Sequence, residues 1–215
     1  MQTANECFKR VKKDYLKFLN KEKVFGKSKA EKITILKKFY IPMSFWIENK
    51  YKKKGKTLFL GVSGGQGSGK TTVTEILKII LKKFFKRQIH VNSIDDFYKT
   101  LEERNKMSNK IHSLFKTRGV PGTHDINLVK KFFNFIKKEK FRKIKLPKFE
   151  KGRDDRLKKK YWYSIKRKPE IVILEGWCVG AKHQPNFLMK KPVNTLEKYE
   201  DKNLNWRKYS NEKLK

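Results

Sequence analysis

A glycine-rich segment carries the sharpest chemical signal in this sequence. Residues 64–71 read G-G-Q-G-S-G-K-T, a complete match to G-x-x-x-x-G-K-[ST]. Backbone N–H groups of such a turn, with the N-terminus of the helix that follows it, attract phosphate oxygens. We expect Lys70 to reach the terminal phosphates and the Thr71 hydroxyl to ligate Mg²⁺. The pattern predicts a nucleotide-binding loop made of Gly64, Gly65, Gln66, Gly67, Ser68, Gly69, Lys70, Thr71 and Thr72.

Two adjacent carboxylates follow the next apolar segment. Residues 93–98 read S-I-D-D-F-Y and come at the carboxyl end of a predicted strand. In open α/β sheets this edge faces the ligand crevice. Transfer of a phosphoryl group to an alcohol needs a carboxylate that orients the hydroxyl and takes its proton. We expect Asp95 and Asp96 to supply that base and a metal-side or structural partner.

A third acidic signal closes another apolar run. Glu175 follows four consecutive apolar residues and precedes Gly176 and Trp177. An acidic side chain at a strand end can hold Mg²⁺, directly or through water. We expect Glu175 to do so opposite Thr71, which would complete a binding site for ATP and its metal ion.

Two loops concentrate the scarce arginines. The sequence has nine arginines, and three of them, Arg118, Arg153 and Arg156, fall in the segments 118–125 and 146–156. An anionic acceptor needs such groups, because a guanidinium pairs bidentately with a carboxylate. His124 and Asp125 follow Arg118, and two interpretations stay open for them. His124 is either structural or part of the acceptor site, and Asp125 is either an acceptor residue or the N-cap of the next helix.

The elements that must position these residues alternate along the chain. Residues 1–50 show helical periodicity, and a polar link at 50–56 follows. Beyond it the pattern predicts strands at 57–63, 89–94 and 170–175, and helices from residue 70 and around 128–138. Such alternation indicates an α/β fold with a parallel sheet flanked by helices. We therefore predict a helical extension at residues 1–55 and a nucleotide-binding domain at residues 56–215.

Composition restricts the possible partners. The chain has 215 residues and a formal net charge of +35, carried by 47 lysines and only nine arginines. Arginine is the side chain that reads bases and phosphates bidentately, so its scarcity argues against a specific nucleic-acid partner. No apolar stretch reaches the roughly 20 residues of a membrane span, and two cysteines make no disulfide framework. We expect a cytoplasmic protein without a membrane partner; its oligomeric state is left open.

Together the motifs resemble one enzyme family. The set S-G-G-Q-G-S-G-K-T-T, S-I-D-D-F-Y, R-G-V-P-G-T-H-D and L-E-G-W-C-V-G is similar to the D-glycerate 3-kinase group of ATP-dependent P-loop kinases. That group is related to uridine kinase, pantothenate kinase and phosphoribulokinase. The resemblance runs from about Tyr40 to about Tyr209. It implies a P-loop sheet, ATP and Mg²⁺ as cofactors, and transfer of a phosphoryl group to a hydroxyl.

The resemblance also implies roles for individual residues. Asp95 would be the catalytic base, and Lys70 would act in catalysis by contacting the phosphates. Glu175 and Thr71 would lie at the metal ion. Arg118, His124 and Asp125 would lie at the acceptor site. Apart from the resemblance, we also expect the acceptor site to include Asp96, Tyr98, Arg153 and Arg156.

Two features of the sequence depart from the family pattern. Glu150 stands where the family usually has Asp, and the following Gly-rich stretch is contracted. The chain also stops short of the family's C-terminal helix and strand, so we expect its C-terminal end to be incomplete. The favoured acceptor is an anionic metabolite, D-glycerate first. A uridine- or pantothenate-type kinase and a truncated nucleotide-binding module without turnover remain alternatives.

Overall fold

Helices form the first quarter of the chain, and strands alternate with helices after it. The computed structural model describes residues 3–24 and 26–215. The helices are α1 (Ala4–Lys21), α2 (Lys29–Ile35), α3 (Ile41–Lys54), α4 (Lys70–Lys83), α5 (Leu101–Lys110), α6 (Ile126–Lys137), α7 (Thr195–Glu200) and α8 (Asn205–Glu212). The strands are β1 (Leu58–Ser63), β2 (Ile89–Ser93), β3 (Ile144–Leu146), β4 (Phe149–Glu150), β5 (Asp155–Arg156), β6 (Tyr163–Ile165) and β7 (Ile171–Gly176).

The predicted α/β class, a parallel sheet flanked by helices, is confirmed. The three predicted strands correspond to β1, β2 and β7, each within one residue of its expected bounds at either end. The helix expected from residue 70 is α4, and the helix expected around 128–138 is α6. Hydrophobic periodicity was clearest for β7, which buries the apolar run Ile171–Ile173, and for α4, which buries Ile76, Leu77, Ile80 and Leu81 on one face.

The chain divides into two compact units. The first comprises Met1–Asn92 and Arg167–Glu175, and the second comprises Ser93–Lys166 and Gly176–Lys215. The phosphate loop, Thr71 and Glu175 belong to the first unit. Asp95 and the predicted acceptor residues belong to the second. The domain boundary between residues 55 and 56 remains a proposal.

A three-stranded sheet organises the first unit. Its order is β1-β7-β2, so β7 is the central strand. Ile171, Val172 and Ile173 of β7 are completely buried, which explains the uninterrupted apolar run in the sequence. Parallel strands end at the same edge of a sheet. The phosphate loop follows β1, and Glu175 lies near the end of β7, so the loop and this side chain approach each other.

The N-terminal helices share one hydrophobic core with this sheet. Cys7, Val11, Tyr15 and Leu19 recur at four-residue spacing on α1 and are all buried. They belong to the same cluster as Ile47 of α3, Leu58 of β1, Ile80 of α4 and Ile171 of β7. Each such side chain contributes about 1.5–3 kcal/mol when it is fully buried. The first unit therefore depends on its N-terminal helices for stability.

A buried charge network ties α3 to the start of β7. The Arg87 guanidinium donates to both carboxylate oxygens of Glu48 and, at 2.9 Å, to Glu170 Oε1. The Tyr51 hydroxyl donates to the same Glu170 oxygen at 2.8 Å. Because Glu48 is 2% exposed, leaving its carboxylate without Arg87 would be costly. This network connects α3 to Glu170, the residue immediately before the strand that carries Glu175.

The second unit is built from helices and two short hairpins. Strands β3 and β6 pair antiparallel, as do β4 and β5. Its buried aromatic side chains include Phe97, Phe115 and Phe132. The sequence analysis assigned no strand between residues 141 and 168, although four lie there. Strands of two or three residues are too short to show a detectable alternation of apolar and polar positions.

Within residues 3–24 and 26–215, no helix combines the length and the apolar character that crossing a bilayer requires.

Candidate active site

The glycine-rich loop has a positive φ at Gly67 and Gly69 and little space for a side chain at Gly64. Gly69 has a φ of 81°, in the left-handed region that favours glycine. A Cβ atom on Gly64 would lie 2.7 Å from the Ser68 hydroxyl and 3.4 Å from Lys70 Cγ. The loop can therefore turn sharply between β1 and α4 while it keeps its backbone accessible.

Lys70 lies over this loop. Its Nζ donates to the carbonyl oxygen of Gly65 at 2.7 Å, and the Ser68 N–H donates to the same carbonyl at 3.3 Å. Residues 65–69 are exposed. Helix α4 begins immediately after them, and its N-cap Gly69 offers no side-chain cap to the first turn. An ammonium group, a helix N-terminus and an open loop together form a site for phosphate.

Thr71 and Glu175 meet although 104 residues separate them. The Thr71 hydroxyl donates to Glu175 Oε1 at 3.2 Å. Glu175 is 7% exposed. A hydroxyl and a buried carboxylate side by side are hard oxygen ligands of the kind that Mg²⁺ prefers. The donor set predicted from the sequence thus fits that ion, and the structure brings its two members together.

The remaining described residues offer no competing metal site. In the described ranges, no cluster of three or more His, Cys, Asp or Glu side chains is arranged to hold a metal ion. Mg²⁺ in kinases also takes oxygens from the substrate phosphates, so two protein ligands are an ordinary number for it.

The two aspartates predicted after β2 have different surroundings. Asp96 accepts a hydrogen bond from the Phe149 N–H at 3.2 Å. Burial raises the pKa of Asp96, and the neighbouring Asp95 charge raises it further. The Asp95 side chain is 28% exposed. Asp96 therefore anchors the β4–β5 hairpin, whereas Asp95 keeps an accessible carboxylate.

Tyr98 and His124 stack on each other. Their ring centroids are 4.3 Å apart, and the two residues are 4% and 2% exposed. Burial raises the pKa of Tyr98, and the Asp95 carboxylate, to which its hydroxyl is hydrogen-bonded, adds to the effect. Burial lowers the pKa of His124 to about 4. His124 is therefore neutral at pH 7.

We expect this histidine to make the protein less stable in weak acid. The unfolded chain takes up a proton at His124 below about pH 6.5, while the folded chain resists it until about pH 4. The free energy of unfolding should therefore fall across that window, by about 3 kcal/mol for this group. Above the window both states are neutral at this position, and His124 adds no pH dependence.

Denaturant titrations between pH 7.5 and pH 4 measure this effect. Half-buried His90, whose pKa burial also lowers to about 4, adds to the slope in the parent protein. The variant His124→Gln removes only the contribution of His124. An unchanged pH slope in that variant would assign the acid sensitivity to other groups.

The three arginines predicted for the acceptor site differ in the ion pairs that they form. Arg118 is ion-paired with Asp154. Arg156 pairs with Asp125 at 3.1 Å and with Glu103 at 3.2 Å. Arg153 is exposed and has no ion pair in the described part of the chain.

Of the two roles considered for Asp125, the structure shows the helix N-cap, and the acceptor role remains a prediction. Asp125 is the N-cap of α6, where it accepts from the Leu128 N–H at 3.1 Å, and it also holds Arg156.

Three charged residues of this region were missed by the sequence analysis. Arg104 is fully buried and donates to Asp154 Oδ2 at 3.0 Å, 50 residues away. Asp154 adopts a φ of 51° and also binds Arg118. Lys151 lies 3.0 Å from Asp95 Oδ2. No local pattern reveals such pairs, although Lys151 directly follows Glu150, at the start of the contracted Gly-rich stretch.

A family model matches most of the region that contains these residues. The model described as "Phosphoribulokinase / Uridine kinase family" matches residues 59–186. The match begins in β1 and extends beyond Glu175, so it includes the phosphate loop and both carboxylate motifs.

Individual relatives agree with that match. The chain is 31% identical over 176 residues to D-glycerate 3-kinase, chloroplastic, of Arabidopsis thaliana, covering 74% of this chain and 38% of that protein. It is 37% identical over 153 residues to the probable ATP-dependent kinase TDA10 of Saccharomyces cerevisiae, covering 66% and 50%. The chain therefore spans about half or less of the length of these relatives.

A solved structure shares the fold. D-glycerate 3-kinase from Cryptococcus neoformans superposes with a TM-score of 0.67 at 22% sequence identity. The superposition covers 82% of this chain and 67% of that one.

Proposed function

We propose a function from the premise that this chain belongs to the Phosphoribulokinase / Uridine kinase family. It transfers the γ-phosphoryl group of ATP to a hydroxyl group of a small anionic metabolite. The observation that carries the proposal is the meeting of Thr71 and Glu175 beside the phosphate loop. Among possible acceptors we place D-glycerate first, because two similar proteins bear that substrate in their names.

The phosphate half of the proposed site binds ATP. Backbone N–H groups of residues 64–69 and the N-terminus of α4 bind the phosphates, and Lys70 moves from the Gly65 carbonyl to the terminal phosphates. Thr71 and Glu175 hold Mg²⁺, with Thr72 next to them on the first turn of α4. When bound, Mg²⁺ neutralises charge on the phosphate oxygens.

The acceptor half supplies the base. Asp95 accepts the proton of the acceptor hydroxyl while the hydroxyl oxygen forms a bond to the γ-phosphorus. The bond between that phosphorus and the bridging oxygen of ADP breaks, and ADP leaves with the electron pair. The products are a phosphate monoester, ADP and one proton, which Asp95 passes to solvent.

The residues around Asp95 form the proposed acceptor pocket. Its walls are formed by Asp96, Tyr98, His124 and Asp125. The hydrogen bonds of the two aspartates and the stacking of the two rings keep these side chains in place. The proposed anion-binding side chains are Arg118, Arg153 and Arg156. Of these, Arg153 forms no ion pair within the described part of the chain, so it can bind an acceptor without giving one up.

An acceptor screen tests this function. With ATP and Mg²⁺, D-glycerate is expected to be phosphorylated in strong preference to glycerol, its uncharged counterpart, because an unpaired cation in a closed site is costly. Product formation is measured by mass spectrometry, with pantothenate and uridine as further acceptors. A preference for uridine or glycerol would contradict glycerate as the acceptor. ATP binding without transfer to any acceptor would contradict catalytic turnover.

A further inference from the structure

The turn of the β4–β5 hairpin places a positive charge on the proposed base. Lys151 Nζ lies 3.0 Å from Asp95 Oδ2. The Lys151 side chain is 67% exposed, and that of Asp95 is 28% exposed. Both residues lie in the second unit of the chain. The pair is therefore accessible to solvent and to a small molecule.

The backbone that carries Lys151 is held in place. The Phe149 N–H donates to Asp96 on one side of the turn. On the other side Asp155 Oδ1 accepts from the Leu101 N–H at 2.8 Å, and Asp154 binds the buried Arg104. These contacts hold the hairpin without using the lysine side chain itself. Only the ammonium group must move for Lys151 to exchange one anionic partner for another.

The chemistry around Asp95 makes such an exchange reasonable. An ammonium group has three donors, so it can contact two anions at once. In a hydroxy acid, the carboxylate lies one or two carbons from the hydroxyl. When that hydroxyl approaches Asp95, the carboxylate therefore comes within about the reach of the Lys151 side chain. Arg118 and Arg156, by contrast, each have an acidic partner other than Asp95.

We infer that Lys151 is a specificity-determining residue of the acceptor site and binds the carboxylate of a hydroxy acid whose hydroxyl lies at Asp95. The inference rests on the proposed function and adds a residue to it. In the acceptor-free protein, Lys151 pairs with Asp95. In the acceptor complex, its ammonium group pairs with the substrate carboxylate and remains beside the base.

Two acceptors that differ only in charge test this role. D-glycerate and its neutral amide, D-glyceramide, are compared with ATP and Mg²⁺ in the parent protein and in Lys151→Gln. For D-glycerate we expect kcat/KM to fall about 10- to 100-fold, mainly through KM, as for a lost hydrogen bond between charged groups. For D-glyceramide we expect less than about a twofold change, since it lacks the charge that Lys151 recognises.

Two further variants serve as controls. Lys145→Gln removes the same charge from an exposed position on β3, and it should leave both acceptors unaffected. Lys151→Arg keeps the positive charge and should restore most of the preference for D-glycerate. An equal loss for both acceptors in Lys151→Gln would overturn the inference and leave Lys151 as a positioning residue for Asp95. No loss for either acceptor would overturn it as well.

Calorimetry keeps this inference separate from the proposed function. If the parent protein phosphorylates neither acceptor, the proposed function fails. Binding of D-glycerate in the presence of ADP and Mg²⁺ is then compared between the parent protein and Lys151→Gln. A binding constant weakened about 10-fold or more supports the carboxylate contact. Equal affinities, or no binding to the parent protein, overturn it.

Discussion

Replacing Lys70 by alanine is expected to lower kcat/KM for phosphoryl transfer by about 10²- to 10³-fold, the effect of removing one charge-stabilising donor from an active site. The ammonium group lies over the phosphate loop, 2.7 Å from the Gly65 carbonyl. It is the one lysine within the loop motif, and its charge acts where negative charge develops on the transferred phosphoryl group. Nucleotide affinity should weaken together with turnover.

A matched lysine on the same helix controls for charge. Lys82 is exposed on the last turn of α4, and Lys82→Ala removes the same positive charge far along the helix from the loop. Its kinetics should match those of the parent protein, and both variants should melt at nearly the parental temperature. Near-parental turnover by Lys70→Ala would refute the assignment of the loop as the ATP site.

Changing Asp95 to asparagine is expected to separate binding from chemistry. The amide has nearly the shape of the carboxylate but cannot take the proton of the acceptor hydroxyl. Turnover should fall by about 10²- to 10⁴-fold, the usual contribution of a positioned general base. ATP affinity should remain close to parental, because the phosphate loop and its Thr71–Glu175 pair are unchanged. Calorimetry with a non-hydrolysable ATP analogue and mass spectrometry of the product measure the two quantities.

The neighbouring aspartate is the informative comparison. Asp96 accepts from the Phe149 N–H, and an asparagine oxygen can accept the same hydrogen bond. Asp96→Asn should therefore retain much more activity than Asp95→Asn. The reverse order of activities would assign the base to Asp96. Exposed Glu139 offers a control, since Glu139→Gln makes the same change from carboxylate to amide outside the proposed site.

Several parts of the candidate site were predictable because they are local in sequence. The phosphate loop needs glycines, a lysine and a threonine at fixed spacing, since one turn of backbone must fold around a phosphate. The positive φ of Gly69 and the tight space at Gly64 agree with that requirement. Apolar runs likewise predicted β1 and β7, and the run in β7 is uninterrupted because that strand is buried on both faces.

Other features depend on contacts between distant segments. The sequence analysis treated Arg118 and Arg156 as groups available to an anionic acceptor, whereas the structure pairs them with Asp154, Asp125 and Glu103. Their role in acceptor binding remains a prediction. The short strands β3 to β6 were missed because two or three residues carry no periodic signal.

The amino-acid sequence by itself determined the α/β class, the phosphate loop and the positions of the acidic residues at strand ends. These features follow from spacing within about ten residues, where backbone geometry links residue type directly to conformation. The tertiary structure brings Thr71 and Glu175 together, as expected from the sequence, but it alone decided that Arg104 pairs with Asp154 and Lys151 with Asp95. Such pairs join segments about 50 to 100 residues apart, and their partners are selected by the packing of the fold.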